Sequence, residues 1–170
     1  MMRKGELASV VIGLVLMGGV LSWMLTAPYL GNTGLARTPG IILGGELTDV
    51  PSDFTSLNES VRGPLLMKQS GFPPLVNYLS WVGTSEGVIT ATRPDGGIWA
   101  QRVRDRGGNG WLRIGEETFE MEAFEIHGDE RIAMMEQWAA KSGGRTLDEP
   151  LYPGSEPLRE WEVFFWKPRS

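Results

Sequence analysis

From Leu7 to Ala36 the chain carries no charged side chain, and beyond that run its apolar positions recur with two different periods. The densest part, Leu7 to Leu25, is apolar almost throughout, and a helix needs about 20 such residues to cross the hydrocarbon core of a bilayer. Cleavable signal peptides have apolar regions of only about 7 to 15 residues, ending in a small-x-small site. Here Ala27 is followed by Pro28, so the pattern predicts a retained signal anchor. Arg3 and Lys4 place its N-terminus in the cytoplasm, and Trp23 and Tyr29 suit an interfacial aromatic belt.

Beyond the anchor, Asn32 to Pro51 is rich in Gly, Pro and Thr and reads as a linker becoming an ordered arm. Ser52 or Asp53 is expected to cap a short helix reaching Asn58, since either side chain accepts from free amides of a first turn. Strands are expected at Pro64–Lys68, Val76–Val82 and Gly87–Thr92, where β-branched and apolar residues lie between turn-formers. A helix is expected from Asp95 to Arg106, with Ile98, Trp99 and Val103 inward and Arg102, Arg104 and Arg106 on a solvated face. Trp111–Ile114 and Thr118–Ile126 form the next strand pair. In the second, Phe119, Met121 and Ala123 alternate with Glu120 and Glu122, which marks a half-buried strand. An amphipathic helix carrying Ile132, Met135, Trp138 and Ala139 then runs to the glycines at 143 and 144, and Trp161–Trp166 makes a last strand. Strands, helix, two strands, helix, strand is the order of a small β-barrel with helices over its openings, an α+β chain of mainly β character.

Composition narrows the chemistry. With 16 basic and 21 acidic residues the net charge is −5, and the segment before the apolar run contributes two of the cations. An acidic domain repels phosphate backbones, which argues against nucleic acid as partner. The absence of cysteine removes thiolate catalysis and Cys-zinc sites, and His127 alone makes no conventional zinc centre. No metal site and no catalytic side chain is expected. Gly83, Ser85 and Gly87 satisfy G-x-S-x-G, but the strand VITAT follows where a nucleophile elbow needs a helix, so the segment reads as a hairpin turn.

The stretch PGIILGGELTDVPSDFTSL, residues 39–57, together with the helix WAQRVRDR and the strand pair NGWLRIGEETFEMEAFEI, resembles the flavin-reductase-like split β-barrel family. That family is related to pyridoxamine-phosphate-oxidase-like proteins and to deazaflavin-dependent nitroreductases. The resemblance implies an FMN-binding split β-barrel, homodimeric, holding FMN or the deazaflavin F420 between barrel and helix. It places cofactor contacts at Thr90, Thr92, Arg93, Trp99 and Arg102. Hydroxyl and guanidinium groups make charge-assisted bonds to phosphate, and the cofactor itself supplies the redox chemistry. The chain departs from the family in having Arg102 where Asn is frequent and Gly97 before Ile98.

Two functions therefore stay open: a membrane-anchored flavin- or deazaflavin-dependent oxidoreductase, and a binding or accessory module that keeps the fold without a cofactor. In the second, Trp161, Phe164, Phe165 and Trp166 become candidates for a partner surface, about half of them being needed for the core. The expected organisation is a cytoplasmic N-terminus at 1–6, the anchor at 7–30, linker and arm at 31–51, and the barrel at 52–170. It gives a single-pass protein of the inner or plasma membrane with its domain in the periplasm or outside the cell.

Overall fold

The computed structural model describes residues 4–26, 40–94 and 97–169, without the side chains of Lys4 and of residues 24–26. Arg3, Tyr29, residues 27–39 of anchor and linker, and Asp95 lie outside them. Helix α1, Lys4–Thr26, contains the apolar stretch Gly5–Trp23, whose mean hydropathy is 1.9 and none of which is buried in the protein. At 1.5 Å per residue it extends about 35 Å, long and apolar enough to cross a membrane.

Strands β1 (Glu46–Leu47), β2 (Leu65–Gln69), β3 (Val76–Leu79), β4 (Trp81–Gly83), β5 (Val88–Thr92), β6 (Asn109–Ile114), β7 (Glu117–Ile126) and β8 (Glu162–Pro168) form one sheet. Its order is β3-β2-β6-β7-β8-β5-β4, antiparallel throughout, and β1 adds to β7 in parallel. The two outermost strands, β3 and β4, are separated in sequence by Ser80 alone, so a bend there brings the sheet almost full circle. The result is a nearly closed barrel. Where one strand was expected from Val76 to Val82 there are two, because residues up to Leu79 pair with β2 and those from Trp81 pair with β5.

Alternation sorts the side chains into two cores. Leu65, Met67, Leu112, Phe119, Met121, Phe164 and Trp166 fill the barrel interior. Between the inward residues of β8, Val163 and Phe165 point outward instead, where α4 (Gly128–Lys141) covers them with Met135, Trp138 and Ala139. Strand β8 is therefore buried on both faces. Its Trp161–Trp166 region does not form a partner surface: Trp161, Phe164, Phe165 and Trp166 are all buried.

Three side chains of the barrel fasten the segment that precedes β1. Arg113 Nη1 donates to the Leu43 carbonyl at 3.2 Å, Thr118 Oγ1 to the Gly44 carbonyl at 2.9 Å, and Lys68 Nζ to the Ile41 carbonyl at 2.8 Å. Gly45 has a φ of +82°, and a Cβ there would lie 2.5 Å from Thr118 Oγ1, so this approach needs glycine. The short helix α2 starts later than expected, spanning Leu57–Ser60 after Ser56, and no side chain caps it. Asp53 instead closes a turn, accepting from the Thr55 amide at 2.7 Å and the Thr55 hydroxyl at 2.8 Å, and both bonds hold its carboxyl below the usual range.

Helix α3, Gly97–Arg106, covers one opening of the barrel. Trp99, Ala100 and Val103 reach the interior core, as the helical spacing implies. Two positions are reversed. Ile98, expected inward, is 66% exposed, while Arg102, expected on a solvated face, is 7% exposed.

Candidate functional site

A cavity of about 480 Å³ opens beside the bend at Ser80. Its origin lies in the strand register. Strand β4 pairs with β5 only as far as Trp81 opposite Thr90, so Ala91 and Thr92 have β8 on one side and no strand on the other. Strand β3 pairs with β2 and has no strand partner on its far side. The seam between these two edges is the mouth of the cavity. Asn77, Tyr78 and Ser80 line one lip, Thr92 and Arg93 the other, and Trp99, Trp138, Tyr152 and Trp161 supply aromatic walls. Its volume lies within the range of small-molecule sites.

The five residues that the resemblance assigns to a cofactor are not gathered in one place. Thr92, Arg93 and Trp99 line the cavity. Thr90 faces the barrel interior, where its hydroxyl accepts from Trp166 Nε1 at 3.0 Å and donates to the Phe164 carbonyl at 3.4 Å. That pairing satisfies two buried polar groups at once and gives Thr90 a structural role. Arg102 donates to the Pro73 carbonyl at 2.6 Å and the Ser70 carbonyl at 3.3 Å, while its Nε finds no partner. Burial, with Arg106 nearby as a second cause, lowers its pKa from the ordinary guanidinium value. Arg102 borders a smaller hollow of about 250 Å³ beside Leu75, Asn77 and Ile98.

The exposed cations of α3 and of the cavity lip differ in availability. Arg104 is committed elsewhere, with Nε and Nη2 on the two oxygens of Glu125 at 2.7 and 2.6 Å and a further contact to Glu162 at 2.9 Å. Arg93 is exposed at the lip and makes no ion pair or hydrogen bond with any described residue. It is the cation placed to receive an anionic group there. Trp99 does double duty, packing on Phe164 with ring centroids 4.7 Å apart while presenting an edge of the cavity.

The other motifs resolve into local structure. In the turn after β4, the Thr84 amide donates to the Gly87 carbonyl at 2.8 Å, and the amides of Glu86 and Gly87 donate to Thr84 Oγ1. Ser85 thus sits in a hairpin turn, not on a strand-to-helix elbow. His127 precedes α4 with its ring largely exposed and Glu125 3.9 Å away. Among the described residues no three His, Cys, Asp or Glu side chains gather as metal ligands would.

Asn77, Tyr78, Trp138 and Tyr152 were not read from the sequence as belonging to a site, and Trp161 was named only as a partner-surface candidate. Three separate elements contribute them, and only the break at Ser80 brings those elements to one seam. In the sequence Trp138 reads as the apolar face of a helix, Tyr78 as part of a strand, and Tyr152 falls in a loop, so nothing points to a shared cavity. No family model matches this chain, and no curated protein matches it.

Proposed function

We propose that this protein is a membrane-tethered binding module: a split-barrel-like domain, anchored by α1 and held outside the cytoplasm, that takes a small, flat ligand into the seam cavity. The observation that carries this reading is the distribution of the cofactor residues. Thr90 and Arg102 are consumed by internal bonds, which leaves Arg93 as the cation at the cavity. A flavin phosphate is ordinarily met by charge-assisted bonds, and of the two guanidinium groups assigned to it only Arg93 is left at this cavity, beside the Thr92 hydroxyl. Aromatic walls with one guanidinium suit a ligand that is largely uncharged with a single acidic group.

An oxidoreductase holding FMN or F420 remains the second reading, favoured by Trp99, Thr92 and Arg93 sharing one cavity of adequate volume. The discriminating experiment is an absorbance and fluorescence spectrum of the detergent-purified full-length protein, followed by titration with FMN and F420. The expected result is a flavin-free protein with no saturable binding of either. Saturable binding that weakens on Arg93→Ala without loss of thermal stability would overturn the module reading and establish the cofactor site. The expected homodimer, like the side of the membrane on which the barrel lies, belongs to this proposal.

A further inference from the structure

Within the barrel, Phe72 is the most exposed large apolar side chain described, at 83%, and Ile98 follows at 66%. They belong to one surface. Phe72 sits on the loop between β2 and β3, and that loop is clamped to α3: Arg106 Nη1 donates to the Phe72 carbonyl at 2.8 Å, and Arg102 holds the carbonyls on either side, of Ser70 and Pro73. Ile98, Arg102 and Arg106 follow one another at intervals of four along α3, which places Ile98 on the same stripe of the helix as the two clamping arginines. Two large apolar groups are thus held outward by a bonded frame.

The tether arrives at this surface. The Val76 amide, just past the loop, donates to the Gly40 carbonyl at 2.8 Å, so the chain coming from α1 enters the barrel at the end of the loop that carries Phe72. Only residues 27–39 separate Thr26 from Gly40, a stretch that reaches at most about 50 Å when fully extended. Contact between barrel and bilayer is then effectively intramolecular, and a small apolar surface suffices to orient the domain. Arg106 is exposed, makes no ion pair among the described residues, and is held at this surface by its bond to the Phe72 carbonyl; Asp105 is its acidic neighbour in sequence.

We infer that the surface bearing Phe72 and Ile98 inserts shallowly into the headgroup region of the same phospholipid bilayer that α1 spans. Apolar side chains such as Phe72 and Ile98 gain by burying at the boundary between headgroups and acyl chains. Because Ile98 adjoins Trp99, insertion also brings the seam cavity close to the headgroups. This inference rests on the anchor reading of α1, and its occupant is the bilayer, not a second protein.

The chain has no cysteine, so single cysteines can be labelled cleanly. The full-length protein, reconstituted in phosphatidylcholine vesicles, would carry an environment-sensitive fluorophore at Phe72→Cys or Ile98→Cys, each variant leaving the other apolar side chain in place. Val15→Cys in α1 reports the anchor. Glu86→Cys reports the hairpin at the far end of β5 from α3. Labels at 72 and 98 are expected to shift to shorter wavelength and to lose most of their emission to nitroxide-bearing lipids, whereas the label at 86 responds to a water-soluble quencher alone. If 72 and 98 behave like 86 while 15 is quenched from the lipid, the anchor stands and the insertion is wrong. Water access at 15 overturns both. Shielding of 72 and 98 from both quenchers would mean that protein covers this surface, which also overturns the bilayer as occupant.

Discussion

Helices α3 and α4 have comparable amphipathic sequences, yet they are held by different physics. Helix α4 lies along the outer face of β4, β5 and β8, and its buried residues Met135, Trp138 and Ala139 follow the apolar spacing of its sequence. Helix α3 closes an opening of the barrel and buries Trp99, Ala100 and Val103 together with Arg102. A helix on a sheet meets an apolar plane; a helix over an opening also meets loop carbonyls that have lost their strand partners. Those carbonyls require donors, and Arg102 supplies them to Ser70 and Pro73. The hydrophobic pattern therefore reports burial for three of the four expected positions of α4, leaving Ile132 half-buried, and misplaces Ile98 and Arg102 in α3.

The largest effect is expected where α4 packs. Trp138 is 1% exposed, lies 5.7 Å from Trp161 between ring centroids, and donates through Nε1 to the Ser80 carbonyl at 3.1 Å. Trp138→Ala should cost about 3–5 kcal/mol, the usual range for truncating a buried aromatic. Urea unfolding of the membrane-reconstituted chain would measure it, and a loss no larger than that of an exposed alanine substitution would mean that α4 is not held by packing.

In α3 the corresponding test is polar. Arg102→Met preserves much of the apolar stem and removes both bonds to the loop, so a loss of about 2 kcal/mol is expected from hydrogen bonds to a charged donor. The unpartnered Nε moderates the effect, since burying it is itself unfavourable. Accelerated amide exchange confined to residues 70–75 should accompany the loss. Unchanged stability with unchanged exchange would show that packing, not the guanidinium, secures this end of the barrel.

The same contrast explains what could be read in advance. Strands β2, β5, β6, β7 and β8 declared themselves through alternation or continuous apolar runs, because each has at least one face on a core. The turn chemistry at Gly83–Gly87 was equally plain. Ser80 was not, since nothing in VNYLSWV distinguishes one strand of seven residues from two that bend apart to join different neighbours. The cavity inherits that difficulty, being a consequence of the bend. Thr92, Arg93 and Trp99 were named through a family resemblance, whereas Tyr78, Trp138 and Trp161 come from elements that are distant in sequence and meet only in the closed barrel.

The smallest expected effect separates the two helices by pH. On the α3 side, hydrogen bonds from Arg104 hold the Glu125 carboxyl below its ordinary value of 4.5, so the stability they contribute is present above that value and lost as pH falls through the lower folded one. Arg104→Gln should remove that acid limb, worth on the order of 1 kcal/mol for a partly shielded bidentate pair. On the α4 side, Lys141 has its Nζ 3.2 Å from the centre of the Trp81 ring and donates to Asn58 Oδ1 at 2.9 Å. Desolvation lowers its pKa from 10.5 to about 8, against the pull of the ring, which favours the ammonium. Between those two values the unfolded chain binds the extra proton, so stability rises with pH across the interval and is flat below it. Unfolding midpoints taken from acid to alkaline pH should show Arg104→Gln flattening the acid limb alone and Lys141→Met the alkaline limb alone. An alkaline rise that persists in Lys141→Met would assign it to another group and leave the acid limb of α3 as the one pH response that separates the helices.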